Sequence, residues 1–374
     1  MDMVGTIGLT EEQADLLEVA TNFCRDKSPI EKVRELLEGD LGYDPDVWKE
    51  VAELGWLAIA LPEEYGGVGL SLAEVVPVVE QMGRNLMATP FVSTSIAAQA
   101  IIAGATDAQK ETYLPRIAEG MVATVALSED NGDWDLLNIE ASAELEGNGY
   151  QLSGTKTFVC DAHSAEVFIV SAIVDGGSAK LFIIEKDMLP EGALRRETVI
   201  DETRRSFQLY LDGVGVHESQ VMDMNKADAA FAHTHMVQAL LLSAEMCGGA
   251  FSTIEYTLDY LRTRKQFDKI IGSYQALKHP IVDAHISYEH ARSHLYSAAH
   301  NFDKQGEQEI AVRMAKSKAG EAFSYAADRS IQFHGGFGFT YECDAQLYRR
   351  RSLWCEHMAG DGAYHREKLA ALMF

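Results

Sequence analysis

The hydrophobic pattern of this chain changes its period twice, and this change limits the folds open to it more than any other feature. From about residue 10 to 120, apolar residues recur every three or four positions, as at Leu16 and Val19, which predicts helices. After residue 122 the pattern changes to short β-branched runs separated by Gly, Asp and Asn. From Ala227 the helical period returns, and Pro280 is the only proline after Pro190, so long uninterrupted helices are permitted.

This pattern indicates an α+β fold in three parts. The predicted strands are short and β-branched, and they lie at residues 150–159, 167–174, 181–184 and 207–214. Because no helical pattern separates them, they favour an antiparallel barrel or sandwich. Thr10 followed by Gln13 is a capping box, so a helix is expected to begin near residue 10. We predict three domains, which are a helical domain at 1–121, a β domain at 122–224 and a helical bundle at 225–374.

Charge and composition limit the partners of the chain. The formal net charge is −25 and the pI is about 4.8, so phosphate backbones and anionic membranes are expected to be repelled. The densest basic run, Arg349 to Arg351, is too short for a nucleic-acid footprint. No stretch approaches the roughly 20 consecutive apolar residues of a membrane helix, and the N-terminus lacks the basic and apolar regions of a signal peptide. The sequence predicts a soluble protein without nucleic-acid or membrane partners.

Cysteine and histidine usage favours a reducing compartment and no metal. The five cysteines are odd in number and form no C-x-x-C pair, so the cytoplasm is expected. His233 and His235 are two residues apart in a predicted helix, where their rings point in different directions. No carboxylate or cysteine completes a ligand set beside them, so no metal site is predicted.

Five sequence segments occur in the order found in one enzyme family. They are GWLAIALPEEYGGVG at 55–69, ALSE at 126–129, GTKTFVC at 154–160, YLRTRKQF at 260–267 and QFHGGFGF at 332–339. In this order and spacing they resemble the signature segments of acyl-CoA dehydrogenases. One glycine-rich segment alone would be weak evidence, because glycine is also the usual residue where a helix ends in a turn. The resemblance covers nearly the whole chain and implies an N-terminal helical domain, a middle antiparallel β-barrel and a C-terminal four-helix bundle.

The resemblance implies FAD as the cofactor. Two segments are expected to flank the flavin ring, through Leu127, Ser128, Phe158 and Cys160. The last two segments are expected to cross a subunit interface and hold the outer half of a neighbour's FAD, through Arg264, Phe267, Gln332, Gly335 and Gly336. Two positions within these cofactor segments depart from the family, since Cys160 replaces a Thr or Ser and Asp268 stands where glycine is usual. A cysteine at a strand end is also commonly a small buried hydrophobic residue.

The resemblance also implies the reaction. In the family, a glutamate removes the α proton of an acyl-CoA thioester while hydride leaves the β carbon for the flavin, and an electron-transfer flavoprotein accepts the electrons. The two positions that the family uses for this glutamate fall on Ala359 and Gln238 here. A methyl group cannot accept a proton, and an amide is no base at neutral pH. The catalytic base is therefore missing from both usual positions.

The missing glutamate leaves three hypotheses open. In the first, the chain is the base-less subunit of a hetero-oligomer, similar to the paired acyl-CoA dehydrogenases of bacterial steroid side-chain degradation. In the second, the chain is an ordinary dehydrogenase with a relocated base, for which Glu356 and Glu245 lie about one and two helical turns from the usual positions. In the third, it binds CoA esters or acts as a scaffold without redox activity. The family resemblance implies a homo- or hetero-tetramer with a homologous subunit.

Overall fold

A computed structural model describes residues 9–174, 176–304 and 306–374. Within these residues there are eleven α-helices and eleven β-strands. The helices are α1 (Glu11–Lys27), α2 (Ile30–Glu38), α3 (Pro45–Glu53), α4 (Leu72–Arg84), α5 (Phe91–Gly104), α6 (Asp107–Ala118), α7 (Ala227–Thr263), α8 (Gln275–His300), α9 (Gln308–His334), α10 (Ala345–His357) and α11 (Gly362–Met373). The strands are β1 (Ala123–Ala126), β2 (Ser142–Glu146), β3 (Gly149–Ser153), β4 (Thr155–Cys160), β5 (Val167–Val174), β6 (Ala179–Glu185), β7 (Leu194–Arg196), β8 (Ser206–Tyr210), β9 (Val214–His217), β10 (Lys265–Gln266) and β11 (Lys269–Ile270).

The order of helices, strands and helices confirms the three parts read from the hydrophobic period. The capping box is confirmed too. The hydroxyl of Thr10 accepts from the backbone N–H of Gln13 at 3.2 Å, and the backbone N–H of Thr10 donates to the Gln13 side chain at 3.1 Å. These two bonds satisfy amides that the first turn of α1 leaves without helical partners.

The chain forms two compact units. One comprises residues 36–71 and 88–238, and the other comprises the described residues up to 35 together with 72–87 and 239–374. The division falls within α7, and it groups α4 with the C-terminal helices. The domain bounds at 121 and 224 stay a prediction from the sequence.

The main sheet is mixed, so the expectation of an antiparallel β domain was wrong in this respect. Its order is β1-β5-β2-β3-β9, with β6 on the other side of β5, and β5 pairs in parallel with both β1 and β2. A second sheet, β4-β8-β7, is antiparallel. Parallel pairing requires a long connection between the two strands. The segment between β1 and β5 is long enough for this, and the alternation of apolar residues carries no signal for strand direction.

Gly154 divides what the sequence pattern presented as one strand. Its φ is +119°, and a Cβ there would lie 2.9 Å from the Cα of Ala141. Only glycine fits both this backbone angle and this close approach. As a result β3 continues in the main sheet while β4, which carries Phe158 and Cys160, enters the three-stranded sheet.

The core of the sheet unit lies between the main sheet and α5 and α6. α5 is buried almost all round, which is typical of a helix enclosed by its own domain. The fully buried aliphatic residues of this core include Ile101, Leu114, Ala123, Ile169 and Ile183. This packing fixes the position of β1, and Leu127 and Ser128 come directly after its last residue.

The helical unit depends on a close crossing of α4 and α7. A Cβ on Gly248 would lie 1.9 Å from the carbonyl oxygen of Glu80, and a Cβ on Gly83 would lie 2.2 Å from that of Glu245. Neither position tolerates a side chain without moving a helix. Glycine therefore sets the separation of the two helices.

A buried polar cluster then ties α4 to α8. The Glu80 carboxylate accepts from Arg292 Nε at 2.8 Å and from the hydroxyl of Tyr296 at 2.6 Å. Burial and the neighbouring Glu80 carboxylate raise the pKa of Tyr296, so its hydroxyl remains a donor. Both partners of the ion pair are almost fully buried, so each charge depends on the other for compensation.

α7 is long and apolar enough to meet the length and composition criteria for a membrane helix. In this fold, however, 89% of its most apolar window is buried inside the protein. A core helix shows the same properties, so the criterion alone carries little weight.

We expect Arg292→Met to lower the free energy of unfolding by roughly 3–5 kcal/mol, because it leaves a buried carboxylate uncompensated. The double variant with Glu80→Met removes both charges and should cost less. Lys49→Met is the matched control, since the Lys49–Glu53 pair is exposed and 3.7 Å apart, and it should change stability by no more than about 0.5 kcal/mol. Urea unfolding measures all three, and equal losses for Arg292→Met and the control would contradict the expectation.

Candidate functional site

The segment after α7 presents an aromatic side chain on a tight hairpin. β10 and β11 pair around a two-residue turn, in which Phe267 and Asp268 have φ of +53° and +61°. Positive φ at both positions is the type I′ pattern. Aspartate tolerates this conformation, but phenylalanine rarely adopts it. Phe267 is nonetheless 86% exposed, so this chain holds an aromatic ring in solvent at the cost of backbone strain.

The segment after α9 contains glycines with different requirements. Gly335 ends the helix at φ +64° and ψ −141°, which side chains rarely permit, and a Cβ on Gly338 would lie 2.2 Å from the carbonyl oxygen of Ile331. Gly336 has no such constraint, since a Cβ there meets nothing within 4 Å. The backbone angle accounts for Gly335 and the close approach accounts for Gly338, whereas neither reason applies to Gly336.

The structure brings these two segments together through His334. Its ring stacks between Tyr256 and Tyr260, with centroid distances of 4.8 Å and 4.2 Å. Burial lowers the pKa of His334, and its Nδ1–H donates to the carbonyl oxygen of Ser330 at 2.8 Å. A neutral ring can therefore remain between the two tyrosines. Tyr260 and His334 belong to the two quoted motifs, yet the sequence alone gave no role to either.

The surface around these segments suits an anionic planar ligand. Arg264 and Gln332 are exposed, as are the neighbouring Arg262, Lys265 and Lys269. This local positive charge contrasts with a net charge of −25 for the chain. Together with the exposed ring of Phe267 and the space at Gly336, it fits the adenosine diphosphate part of FAD.

The two ring-side segments are also neighbours in the fold. The backbone N–H of Thr157 donates to the carbonyl oxygen of Ser128 at 2.9 Å, and the hydroxyl of Thr124 donates to that of Cys160 at 2.7 Å. Leu127 is buried, while Phe158 is 38% exposed. The two segments that the resemblance implied beside the flavin, at 126–129 and 154–160, are thus neighbours, and the cofactor roles of Leu127, Ser128, Phe158 and Cys160 stay a prediction.

A buried ion pair joins these two segments. Lys156 Nζ donates to Glu129 Oε1 and, at 2.9 Å, to the hydroxyl of Ser171. The other Glu129 bonds come from the backbone N–H groups of Glu140 and Ala141. Burial lowers the pKa of Lys156, but the Glu129 carboxylate opposes this by favouring the charged ammonium. Glu129 therefore has a structural role beside the flavin segments.

The loop at Ala359, one of the two positions that the family uses for the base, is held by several hydrogen bonds although its side chain is only a methyl group. Ala359 is buried at φ +59°, and Gly360 follows at +92°. Lys316 Nζ donates to the carbonyl oxygens of Glu356 at 2.9 Å and Gly360 at 2.8 Å, and His365 Nε2 donates to that of Ala359 at 2.9 Å. The backbone is held in a strained conformation although no carboxylate stands there.

The remaining base candidates are engaged elsewhere. Glu356 Oε2 accepts from the hydroxyl of Ser324 on α9 at 2.9 Å. Glu245 forms an ion pair with Arg351, and both side chains are almost fully buried. Gln238 is half-buried on α7. A relocated base at Glu356 or Glu245 stays a prediction, and each of these carboxylates has an observed structural partner.

Comparison with known proteins places this arrangement among flavin-dependent oxidoreductases. Residues 10–121 match the family model "Acyl-CoA dehydrogenase, N-terminal domain", and residues 230–374 match "Acyl-CoA dehydrogenase, C-terminal domain". The chain is 30% identical over 310 residues to acyl-CoA dehydrogenase fadE12 of Mycobacterium bovis, covering 79% of each protein. The chain belongs to the acyl-CoA dehydrogenase family, whose cofactor is FAD.

Two solved structures are similar over almost the full length. A variant of the Tcur3481–Tcur3483 steroid ACAD is 28% identical with a TM-score of 0.87, and the match covers 97% of this chain and 98% of that one. The ChsE4–ChsE5 complex from Mycobacterium tuberculosis is 25% identical with a TM-score of 0.87, and the match covers 97% of both chains. The fold with N-terminal helices, a middle sheet domain and C-terminal helices is that of the family.

Lys316, which donates to the Ala359 loop, predicts a pH dependence of stability. Burial lowers the pKa of Lys316 to about 8, from an ordinary value of 10.5. The unfolded chain binds this proton more tightly, so burial costs stability below pH 8 and the cost disappears as the pH rises to 10.5. We expect the free energy of unfolding of wild type to rise relative to that of Lys316→Met over this pH range, by roughly 1.4 kcal/mol for each unit of the pKa difference.

Unfolding by denaturant at pH 7, 8, 9 and 10 measures this difference. Lys318→Met is the control, because Lys318 lies on the same helix but is exposed. The difference between wild type and Lys318→Met should stay nearly constant. A constant difference for Lys316→Met as well would show that its pKa is not lowered.

Proposed function

We propose that this chain is the base-less subunit of a hetero-oligomeric, FAD-dependent acyl-CoA dehydrogenase. A homologous partner subunit supplies the glutamate that removes the α proton, and the assembly introduces an α,β double bond into an acyl-CoA thioester. When bound, FAD takes the hydride that leaves the β carbon. This chain contributes the residues that hold and orient the cofactor.

The Ala359 loop carries the proposal. A left-handed alanine followed by a left-handed glycine is held by Lys316 and His365, so the backbone needed to present a side chain is retained. The side chain itself is a methyl, which has no proton-accepting atom. Relocation by one helical turn moves a carboxylate by roughly 5 Å, whereas a misplacement of about 1 Å already costs about a hundredfold in rate. A partner's glutamate is the simpler explanation.

The segments at 260–267 and 332–339 support a role for the chain in FAD binding. Arg264 and Phe267 are exposed and a Cβ on Gly336 would meet nothing within 4 Å, so the packing of the described residues gives no reason for these three residues. They are explained by a cofactor held by a neighbouring subunit, with Arg264 near its phosphates and Phe267 against a planar group. A scaffold without redox activity gives no reason for a strained, exposed phenylalanine.

The same proposal includes the finer features implied by the family. The assembly is a tetramer, its C-terminal helices form a four-helix bundle, and its middle strands close as a barrel. An electron-transfer flavoprotein in the cytoplasm accepts the electrons. Bulky ring-bearing acyl groups are the proposed substrates, supported by the similarity to a steroid ACAD. The five cysteines, which form no disulfide, are compatible with a reducing compartment.

The visible absorption spectrum of the purified chain tests the proposal. We expect the chain alone to show no flavin band that bleaches on anaerobic addition of a panel of acyl-CoA esters, because it lacks the base. Co-purification with a glutamate-bearing homologue should give an assembly whose flavin bleaches. Bleaching by the chain alone would contradict the base-less role. An assembly without flavin would favour the scaffold.

Two substitutions, measured with the same assay, test at which position a carboxylate restores the reaction. Ala359→Glu and Gln238→Glu each place one at a usual position, and Ala359→Gln is the matched control without a basic group. Where flavin is bound, general-base catalysis predicts a gain of roughly 10²- to 10⁴-fold in the bleaching rate for one glutamate variant and none for glutamine. Equal rates for Ala359→Glu and Ala359→Gln would argue against a base at this loop.

Substitution of the glycines separates cofactor binding from stability. Gly336→Val should lower the FAD content of the assembly while leaving the melting temperature of this chain nearly unchanged, because the Cβ of the added side chain would meet nothing within 4 Å among the described residues. Gly335→Ala should instead lower stability by about 1–3 kcal/mol through backbone strain. Absorbance of released FAD per chain and thermal unfolding measure the two effects. Full FAD content in Gly336→Val would contradict the assignment.

A further inference from the structure

Phe158 occupies a bulge that phenylalanine does not favour. Between β4 and β8 the register passes from Lys156 opposite Leu209 to Val159 opposite Phe207, so two residues of β4 face one residue of β8. Phe158 is one of these two, and its φ is +54°. This left-handed position in a bulge is usually glycine, and a strained residue of this kind commonly marks a functional site.

The bulge removes Thr157 and Phe158 from the regular ladder, and their backbone N–H groups have other partners. The Thr157 N–H donates to the carbonyl oxygen of Ser128 at 2.9 Å. The Phe158 N–H donates to Glu197 Oε2 at 3.0 Å. The same oxygen accepts from the hydroxyl of Ser206 on β8 at 2.7 Å. A carboxylate that accepts from both strands holds the bulge in its strained form.

We propose that Glu197 is a positioning residue for the flavin-ring side of the site. Its carboxylate fixes the Phe158 backbone in the left-handed conformation, which sets the direction of the exposed Phe158 ring and the place of Cys160 two residues later. The inference rests on the proposed role of Phe158 and Cys160 beside the flavin. Glu197 itself touches neither substrate nor cofactor in this role and acts through the backbone.

Glu197 was not singled out from the sequence, and its position explains why. It follows β7 and lies 39 residues from Phe158 along the chain. The β7–β8 pairing brings it to the bulge, with the Glu197 N–H donating to the carbonyl oxygen of Ser206 at 2.9 Å. The side chain and backbone of Glu197 thus both bind Ser206, which orients the carboxylate towards Phe158.

Amide hydrogen exchange at Phe158 tests the first part without any flavin. Glu197→Ala should speed exchange of this amide by at least about tenfold, because it loses a hydrogen bond to a charged acceptor. Glu197→Gln keeps an acceptor oxygen and should retain most of the protection. Glu191→Ala, an exposed carboxylate on the turn before β7, is the matched control and should change nothing. Unchanged exchange in Glu197→Ala would overturn the inference.

A second comparison links the bulge to the cofactor. In the flavin-loaded assembly, Glu197→Ala should shift the flavin absorption band and weaken FAD binding, and Glu197→Gln should restore both. Phe158→Gly removes the strain, so adding Glu197→Ala to it should lower the melting temperature less than it does in wild type. A wild-type assembly without flavin would overturn the proposed function. A flavin-bearing assembly whose spectrum and affinity are unchanged by Glu197→Ala would overturn this inference alone.

Discussion

The close crossing of α4 and α7 is the constraint on which the helical unit depends. Gly83 and Gly248 let the two backbones approach until a single Cβ would strike a carbonyl oxygen. At this separation Glu80 is buried, and burial is stable because Arg292 and Tyr296 on α8 compensate its charge. These contacts hold α7 in place, and α7 contains Tyr256 and Tyr260, on which His334 stacks. The hairpin and the glycine turn owe their common position to this chain of contacts.

The segments that the proposed function assigns to the cofactor are formed, and no glutamate stands at the two positions that the family uses for proton transfer. The hairpin with Phe267, the glycine turn and the paired ring-side segments are all formed. The Ala359 loop keeps its backbone geometry and its two donors, Lys316 and His365, but offers a methyl. Such a separation is expected where two homologous chains divide binding and catalysis between them. In the proposed function, the oligomer rather than the single chain is therefore the unit in which the chemistry is complete.

Strained backbone recurs at the residues with proposed functions. Phe158, Phe267 and Ala359 each have positive φ without being glycine. Each is held by contacts from distant segments or by a tight hairpin, since a conformation that is unfavourable locally requires outside support. Glu197 provides this support for Phe158, and Lys316 with His365 provides it for the Ala359 loop.

The sequence by itself determined the order of helices and strands, the start of α1, the family and the segments that are proposed to bind the cofactor. These features depend on residues close together in the chain, such as Thr10 with Gln13, or on short motifs. The direction of β1 and β2 against β5, the stacking of His334 between two tyrosines and the link from Glu197 to Phe158 were decided only by the tertiary structure. Hydrophobic period carries no information on strand direction, and contacts between residues tens of positions apart depend on how packed elements meet. The absence of glutamate from the two usual base positions was visible in the sequence as Ala359 and Gln238, whereas the hydrogen-bonded geometry of the Ala359 loop was visible only in the fold.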